Sequence, residues 1–259
     1  GQAGINETNG YNMPSNPRLF EILMLSWFAN CIVPAKLGDG YRSYLLKRDA
    51  GAPGSTSIGT ILAERIVDLS VLFITMTITG ILAFHGDLPE KVKHTVWIGG
   101  AMIGLAAVAL VVLLVGRDHV VRFIPDRFTR HFHDFHGAVF ACLRRPALPI
   151  LVSLTIWMCD GVRMWLVARS LGAHLSLELT LFVALMSALL TTLPFTPAGL
   201  GLVEAAVVVV LKLVDVDADM AGSIAILDRL IGYWSLILVG MIMYIIRVRR
   251  DLKSSFRES

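Results

Sequence analysis

Charge is scarce in this sequence. Only 17% of its 259 residues are Asp, Glu, Lys or Arg, against 55% hydrophobic, and the mean hydropathy is +0.68. A soluble domain of this length needs more polar surface to cover its core. Strict apolar–polar alternation is also missing, which excludes a membrane β-barrel. The three cysteines, Cys31, Cys142 and Cys159, sit in apolar context with no metal spacing. They form no disulfide framework and read as small core residues. A net charge of +3 is too small to suggest nucleic acid. The sequence holds no nucleophile–base pair, glycine-rich nucleotide loop or metal cluster, so it gives no positive case for an enzyme, a cofactor or ATP-driven work. Its opening, GQAGINETNGYNMPSNPR, has neither an initiator Met nor a signal-peptide pattern. The expectation is a chain that starts partway through a longer protein.

Long apolar runs are there instead. Six regions stand out: 19–33, 58–84, 95–115, 148–168, 179–214 and 224–246. At ~1.5 Å per residue the longer ones cross ~30 Å of hydrocarbon, where unsatisfied backbone groups are too costly for anything but helices. The fold class expected is an all-α polytopic membrane protein. Region 95–115 is clean and rich in Gly and Ala, suited to close helix packing. Region 179–214 is interrupted by LPFTPAGLG (193–201), which leaves two arms too short for full spans. Region 19–33 stops at Pro34.

Positive residues set the orientation. The connector 117–146 carries Arg117, Arg122, Arg127, Arg130, Arg144 and Arg145, and the tail carries Arg247, Arg249, Arg250, Lys253 and Arg257. Both are expected to be cytoplasmic, including the C-terminus. The acidic connector Asp215-Val-Asp217-Ala-Asp219 is expected outside. Region 179–214 then enters and leaves on the outer face as a re-entrant hairpin. Residues 19–46 form a second hairpin from the cytoplasm, whose polar return arm GYRSYLLKRD needs a protein cover. Within the connector, Phe128, Phe132, Phe135 and Val139 recur at helical spacing. That favours an interfacial amphipathic helix over a metal site at His131, His133 and His136.

The two hairpins resemble each other. Pro34-Ala-Lys-Leu-Gly38 matches Pro197-Ala-Gly-Leu-Gly201, and Ile61-Leu-Ala-Glu64-Arg65 resembles Ala225-Ile-Leu-Asp228-Arg229 at nearly the same offset. With opposed orientations this is an inverted-topology repeat, each half a re-entrant broken hairpin plus a charged transmembrane helix. The chain reads as one transmembrane domain, 1–259, with repeat 1 at about 18–84 and repeat 2 at about 179–246.

Ionisable residues within spans cost ~2.5–3.5 kcal/mol each on insertion scales, so they face a partner or a watery cavity. Here they are Lys36, Asp39, Arg42, Glu64, Arg65, Asp68, Asp160, Arg163, Glu204, Asp228 and Arg229. The plain reading is pairing: Glu64 or Asp68 with Arg42 or Arg65, and Asp160 with Arg163. The functional reading is a basic midplane site for an anionic headgroup, with Arg65 and Arg229 as equivalent phosphate ligands. Acidic neighbours then keep the phosphate releasable. Tyr233 and Trp234 read as packing or lipid-contact residues, with a cavity-lining role as the alternative.

Three motifs in order resemble the lysylphosphatidylglycerol synthase transmembrane family: Asn30-Cys-Ile-Val-Pro34-Ala-Lys-Leu-Gly38-Asp39-Gly-Tyr-Arg42, then Glu64-Arg65-Ile-Val-Asp68, then Leu193-Pro194-Phe-Thr-Pro197-Ala-Gly199-Leu-Gly201-Leu-Val-Glu204. The second tip reads P-A-G-L-G where P-G-G-L-G is usual in that family. The resemblance implies lipid translocation in a prokaryotic cell membrane, with no cofactor or metal. It also implies a membrane lipid with an anionic headgroup as partner, and further N-terminal helices in the full protein. No aminoacyl-transferase sequence follows Ser259, so translocation is the role expected, the alternative being a lipid-binding membrane module of a glycosyl- or aminoacyl-lipid transferase whose catalytic domain lies elsewhere. The sequence leaves monomer and homo-oligomer both open. The residues expected to contact substrate are Lys36, Asp39, Arg42, Glu64, Arg65, Asp68, Arg163, Pro197, Gly199, Gly201, Glu204, Asp228 and Arg229.

Overall fold

Helices begin here where Pro and Gly break the apolar runs. A computed structural model describes residues 14–33, 37–85, 126–144, 146–192 and 199–258, with isolated helical positions between 93 and 112. Among the described residues there is no strand. In chain order the helices are α1 (Asn16–Ile32), α2 (Leu37–Ala50), α3 (Gly54–Ala83), α4 (Asp126–Arg144), α5 (Ala147–Ser170), α6 (Leu177–Thr192), α7 (Leu202–Lys212), α8 (Ala218–Arg229) and α9 (Ser235–Glu258). A π-helical turn, Leu230–Trp234, joins α8 to α9 without a break. Three of the described stretches are long and apolar enough to cross a membrane: α3, α5 and the continuous Ala218–Lys253.

The core is built around α6. Hydrophobic on every side, it buries each residue from Leu179 to Ser187, as a helix without a polar face must. It packs against α3, α5 and α7. Phe182, Leu185, Leu72, Met76, Met164, Leu211 and Ile224 are almost fully enclosed there. On the outer surface Ile74, Ile78, Leu151, Leu166, Ile242 and Ile245 are exposed, as lipid-facing side chains are.

The polar arm 40–49 is helical and lies within α2, seated against α1 and α3. A Cβ on Gly38 would collide with the Ser26 carbonyl oxygen and with Asn30 Oδ1, so only glycine lets α1 and α2 approach this closely. The amphipathic helix expected in the connector is α4. Its apolar stripe is not left to a lipid surface: Val139 and Phe135 pack onto Ala63 and Ile66 of α3. Of the cysteines Cys31 is buried, but Cys159 is exposed on α5, which corrects the reading of all three as core residues.

The start of α1, the end of α2 and the middle of α9 are held together by ion pairs. Arg247, almost fully enclosed, donates to both oxygens of Asp49 at 2.9 and 3.2 Å and lies 3.7 Å from Glu21. Arg18 bonds Asp49 at 3.0 Å and Glu21 at 2.9 Å. Burial would raise the Asp49 pKa, but hydrogen bonds from Arg48 and Arg247, with Arg18 close by, outweigh it and hold the carboxyl below its ordinary value of 3.8. A lowered carboxyl stabilises the fold above its unfolded pKa and loses that contribution as pH falls through the folded value. Asp49→Asn is therefore expected to cost about 3 kcal/mol at neutral pH, the loss typical of breaking a buried ion pair. Thermal unfolding in detergent between neutral pH and pH 3 checks this: the variant should be less stable at neutrality and show a shallower acid decline. An unchanged acid decline would assign that stability to other groups.

Candidate functional site

A helix that breaks inside an apolar layer leaves its first N–H groups without partners, and a buried arginine is equally in need. The chain answers both needs at once, twice. At the start of α2 the side chain of Asn30, from α1, accepts the Gly38 N–H at 2.9 Å through Oδ1. Its amide nitrogen donates to Asp39 at 3.2 Å. Asp39 in turn takes both prongs of Arg65, from α3, at 2.9 and 3.0 Å. At the start of α7, Glu204 accepts the Gly201 N–H at 2.7 Å with one oxygen. Its other oxygen accepts from Arg229 Nε, at the end of α8, at 2.9 Å. Gly199 and Gly201 have φ of 71° and 83°, the left-handed region in which a side chain is strained. That is why glycines precede α7.

The acidic residues next to the two arginines are paired as well. Glu64 accepts from Arg42 at 2.8 Å. Asp228, buried, accepts from Arg163 at 2.9 and 3.3 Å, and Arg163 also holds Asp160 one turn earlier on α5. Asp68 lies 4.0 Å from Arg65. The pairings expected for Glu64, Asp68 and Asp160 are thus present. Those of Arg65 with Asp39, Arg163 with Asp228 and Arg229 with Glu204 join residues 26, 65 and 25 positions apart, and no local spacing announces them.

Between the elements carrying these groups lies a cavity of about 580 Å³. Its wall includes Arg65, Arg163, Arg229, Asp160 and Asp228, with Asn30, Cys31, Trp157, Ser187, Thr191 and Tyr233 around them. Four of the thirteen candidate residues, Arg65, Arg163, Asp228 and Arg229, therefore line one space. Asp39, Asp68 and Glu204 stand behind the lining arginines as their carboxylate partners. Arg42 and Glu64 pair with each other off the cavity wall, and Gly199 and Gly201 shape the approach to α7. Lys36 and Pro197 lie outside the described residues, as do Pro34 and Pro194. Among the described residues no group of three or more His, Cys, Asp or Glu is placed to hold a metal. Asp217 caps α8 by accepting the Asp219 N–H at 3.1 Å.

Of two uncharged aromatics on the wall, Trp157 escapes sequence reasoning, whereas for Tyr233 a lining role is the alternative the sequence offers. Trp157 lines the cavity with its ring, and its Nε1 is buried with no hydrogen-bond partner among the described residues. Tyr233 is both packing and lining: its hydroxyl donates to the Cys31 carbonyl at 3.2 Å, and the Arg229 guanidinium stands 5.2 Å over its ring. Its neighbour Trp234 is half exposed on the lipid side. Among the described residues, three guanidiniums face two carboxylates on the wall, and Asp39, Asp68 and Glu204 stand behind them as partners. An anion entering here would compete with carboxylates for guanidinium N–H groups and would not meet an unopposed positive field.

The π-helical turn serves this site. It follows Arg229 directly and includes Gly232, against which Arg163 packs. A Cβ at Gly232 would meet the Arg163 guanidinium at 3.1–3.3 Å. Such turns are tolerated inside long helices mostly where function requires the displaced backbone.

Comparison with known proteins gives consistent matches. The sequence profile described as "Lysylphosphatidylglycerol synthase TM region" matches residues 8–240. A UPF0104 membrane protein of Methanocaldococcus jannaschii is 34% identical over 234 residues, covering 89% of this chain and 99% of its own length. Another, of Pyrococcus horikoshii, is 23% identical over 273 residues, covering 92% of this chain and 79% of its own. Glycosyltransferase AglD of Haloferax volcanii is 23% identical over 280 residues, which is 92% of this chain but 44% of that protein. No solved structure matches.

The packing of Arg163 on Gly232 is open to direct measurement. Gly232→Ala is expected to cost about 1–3 kcal/mol, as overpacking does, by pushing the guanidinium off Asp228. In an Arg163→Ala background the same substitution should cost almost nothing. Thermal unfolding of the four proteins of this cycle gives the coupling, and strictly additive effects would show that the contact does not constrain Arg163.

Proposed function

The chain belongs to the lysylphosphatidylglycerol synthase transmembrane-region family, and from that premise we propose that it translocates an anionic lipid between the leaflets of a membrane. The substrate classes that fit are an anionic phospholipid, an aminoacylated phospholipid and a polyprenyl-linked glycolipid. The observation that carries this reading is the cavity on whose wall Arg65, Arg163 and Arg229 stand together among membrane-spanning helices. Guanidiniums suit the two-point recognition of phosphate. Their carboxylate partners keep the bound state shallow, and a transporter needs its substrate to leave. Acyl or prenyl tails stay in the hydrocarbon while only the headgroup enters polar surroundings.

The repeated organisation supports the same reading. In each half a helix resuming after a P-A-x-L-G break is capped by a side chain tied to the arginine of a following span. Inverted re-entrant hairpins that rock about a fixed site are the arrangement we propose, with alternating access as the consequence. The ion pairs of Glu21, Asp49 and Arg247 lie one turn before Met24 and two turns beyond Val239, both of which line the cavity. That position suits a gate at one mouth. On this view the C-terminus is cytoplasmic and the membrane that of a prokaryotic cell.

A second reading has its own observation. The match to glycosyltransferase AglD spans most of this chain, which favours a membrane module presenting a lipid to a transferase. Both readings need the cavity to hold a lipid headgroup, and they differ in the fate of that lipid once bound. Proteoliposomes carrying a headgroup-labelled phosphatidylglycerol, scored by accessibility to an external quencher, separate them. Transport predicts exchange between leaflets in the purified protein. Arg65→Ala and Arg229→Ala should each slow it by about tenfold or more, the effect of losing a hydrogen bond to a charged group worth ~1.5–3 kcal/mol. Exchange at the wild-type rate in both variants would remove the arginines from the mechanism, and no exchange in the wild type would favour the transferase module.

A further inference from the structure

Arg163 belongs to two spaces at once. It lines the polar cavity, and it also lines a separate groove of about 780 Å³ on the outer flank of α5. The groove wall is almost wholly apolar: Leu154, Met158, Val162 and Leu166 from α5, with Ile231 from the π-helical turn. Leu154, Val162, Leu166 and Ile231 are exposed, so no described element covers this face. Because α5 is one of the spans, the face borders hydrocarbon rather than water.

Resting on the reading above, we propose that the groove is the track for the hydrocarbon chain of the lipid whose headgroup enters the cavity, with Arg163 at the junction of the two. Length and position point to this occupant. The groove runs from Leu154 to Ser170 with Arg163 near its middle. At ~1.5 Å per residue its arms extend about 13 Å and 10 Å from that guanidinium, together about 24 Å of the ~30 Å hydrocarbon core. A chain whose phosphate is anchored at Arg163 can lie along either arm. Exchanging one arm for the other moves the chain from one leaflet to the other while the headgroup stays in contact with the same residue. A globular protein partner finds no polar rim here to dock on, whereas a single long aliphatic chain needs none. The substrate class this selects is an amphiphile with a phosphate close to the head of a long chain.

Protein reconstituted in phosphatidylglycerol vesicles doped with the same lipid carrying a diazirine in one acyl chain tests the proposal, with crosslinks mapped by mass spectrometry. Labelling should concentrate on groove residues on both sides of Arg163, well above that at the lipid-facing Ile242 and Ile245 of α9. Val162→Trp, which fills the groove beside Arg163 without touching the ion pairs, should lower groove labelling and lipid exchange by roughly tenfold, a loss of ~1.4 kcal/mol. It should leave binding of soluble glycerol phosphate unchanged. Even labelling of α5 and α9, or full lipid exchange in Val162→Trp, would overturn the groove and leave the headgroup cavity standing. Concentrated labelling in a protein that exchanges no lipid would support the groove while removing transport.

Discussion

A guanidinium in hydrocarbon and a helix end in hydrocarbon are the same problem, and this protein solves them with the same side chains. Arg42, Arg65, Arg163 and Arg229 each meet at least one carboxylate within 3.0 Å. Two of those carboxylates, Asp39 and Glu204, also sit in the first turn of a helix that resumes after a break. Without the arginines, the capping network would leave unpaired negative charge. Without the breaks, the carboxylates would have no reason to lie where the arginines reach them. The cavity exists because these paired sets come from opposite parts of the chain and meet around α6.

The same logic explains why the site is nearly balanced in charge. Transfer into a low dielectric penalises any net charge, so a permanently basic pocket at this depth would be as costly as the lipid phosphate it was meant to attract. Placing carboxylates behind Arg65 and Arg229, and on either side of Arg163, lets the site form without substrate and bind by exchange. Those pairs are costly to break singly, which fixes the geometry.

Much of the site was legible in sequence for a chemical reason: charge is so scarce here that every buried ionisable residue stands out. Arg65, Arg163, Asp228 and Arg229, all chosen on that ground, line the cavity. Other choices have a different role. Arg42 and Glu64 hold α2 to α3, and sequence offered no way to separate them from the lining residues. Trp157 and Tyr233 carry no charge and sit in apolar runs, so hydropathy assigns them to packing. Only the burial of an unpartnered indole N–H and the stacking of Arg229 over the Tyr233 ring set them apart. For α4, periodicity gave the amphipathic helix but not its neighbour, because a lipid surface and the flank of α3 ask for the same apolar stripe.

The amino-acid sequence by itself determined that this is a helical membrane protein, where its helices break, and which charges fall within its apolar runs. These rest on local quantities: run length against membrane thickness, the conformations open to Pro and Gly, and the cost of burying a charge. Only the tertiary structure decided that Asp39 takes Arg65, that Glu204 takes Arg229, and that Arg163 crosses to Asp228. It also decided that each arginine lining the cavity stands against a carboxylate. Those outcomes depend on which helices become neighbours around α6, and charge pairing acts at a few ångströms between residues that the chain itself keeps far apart.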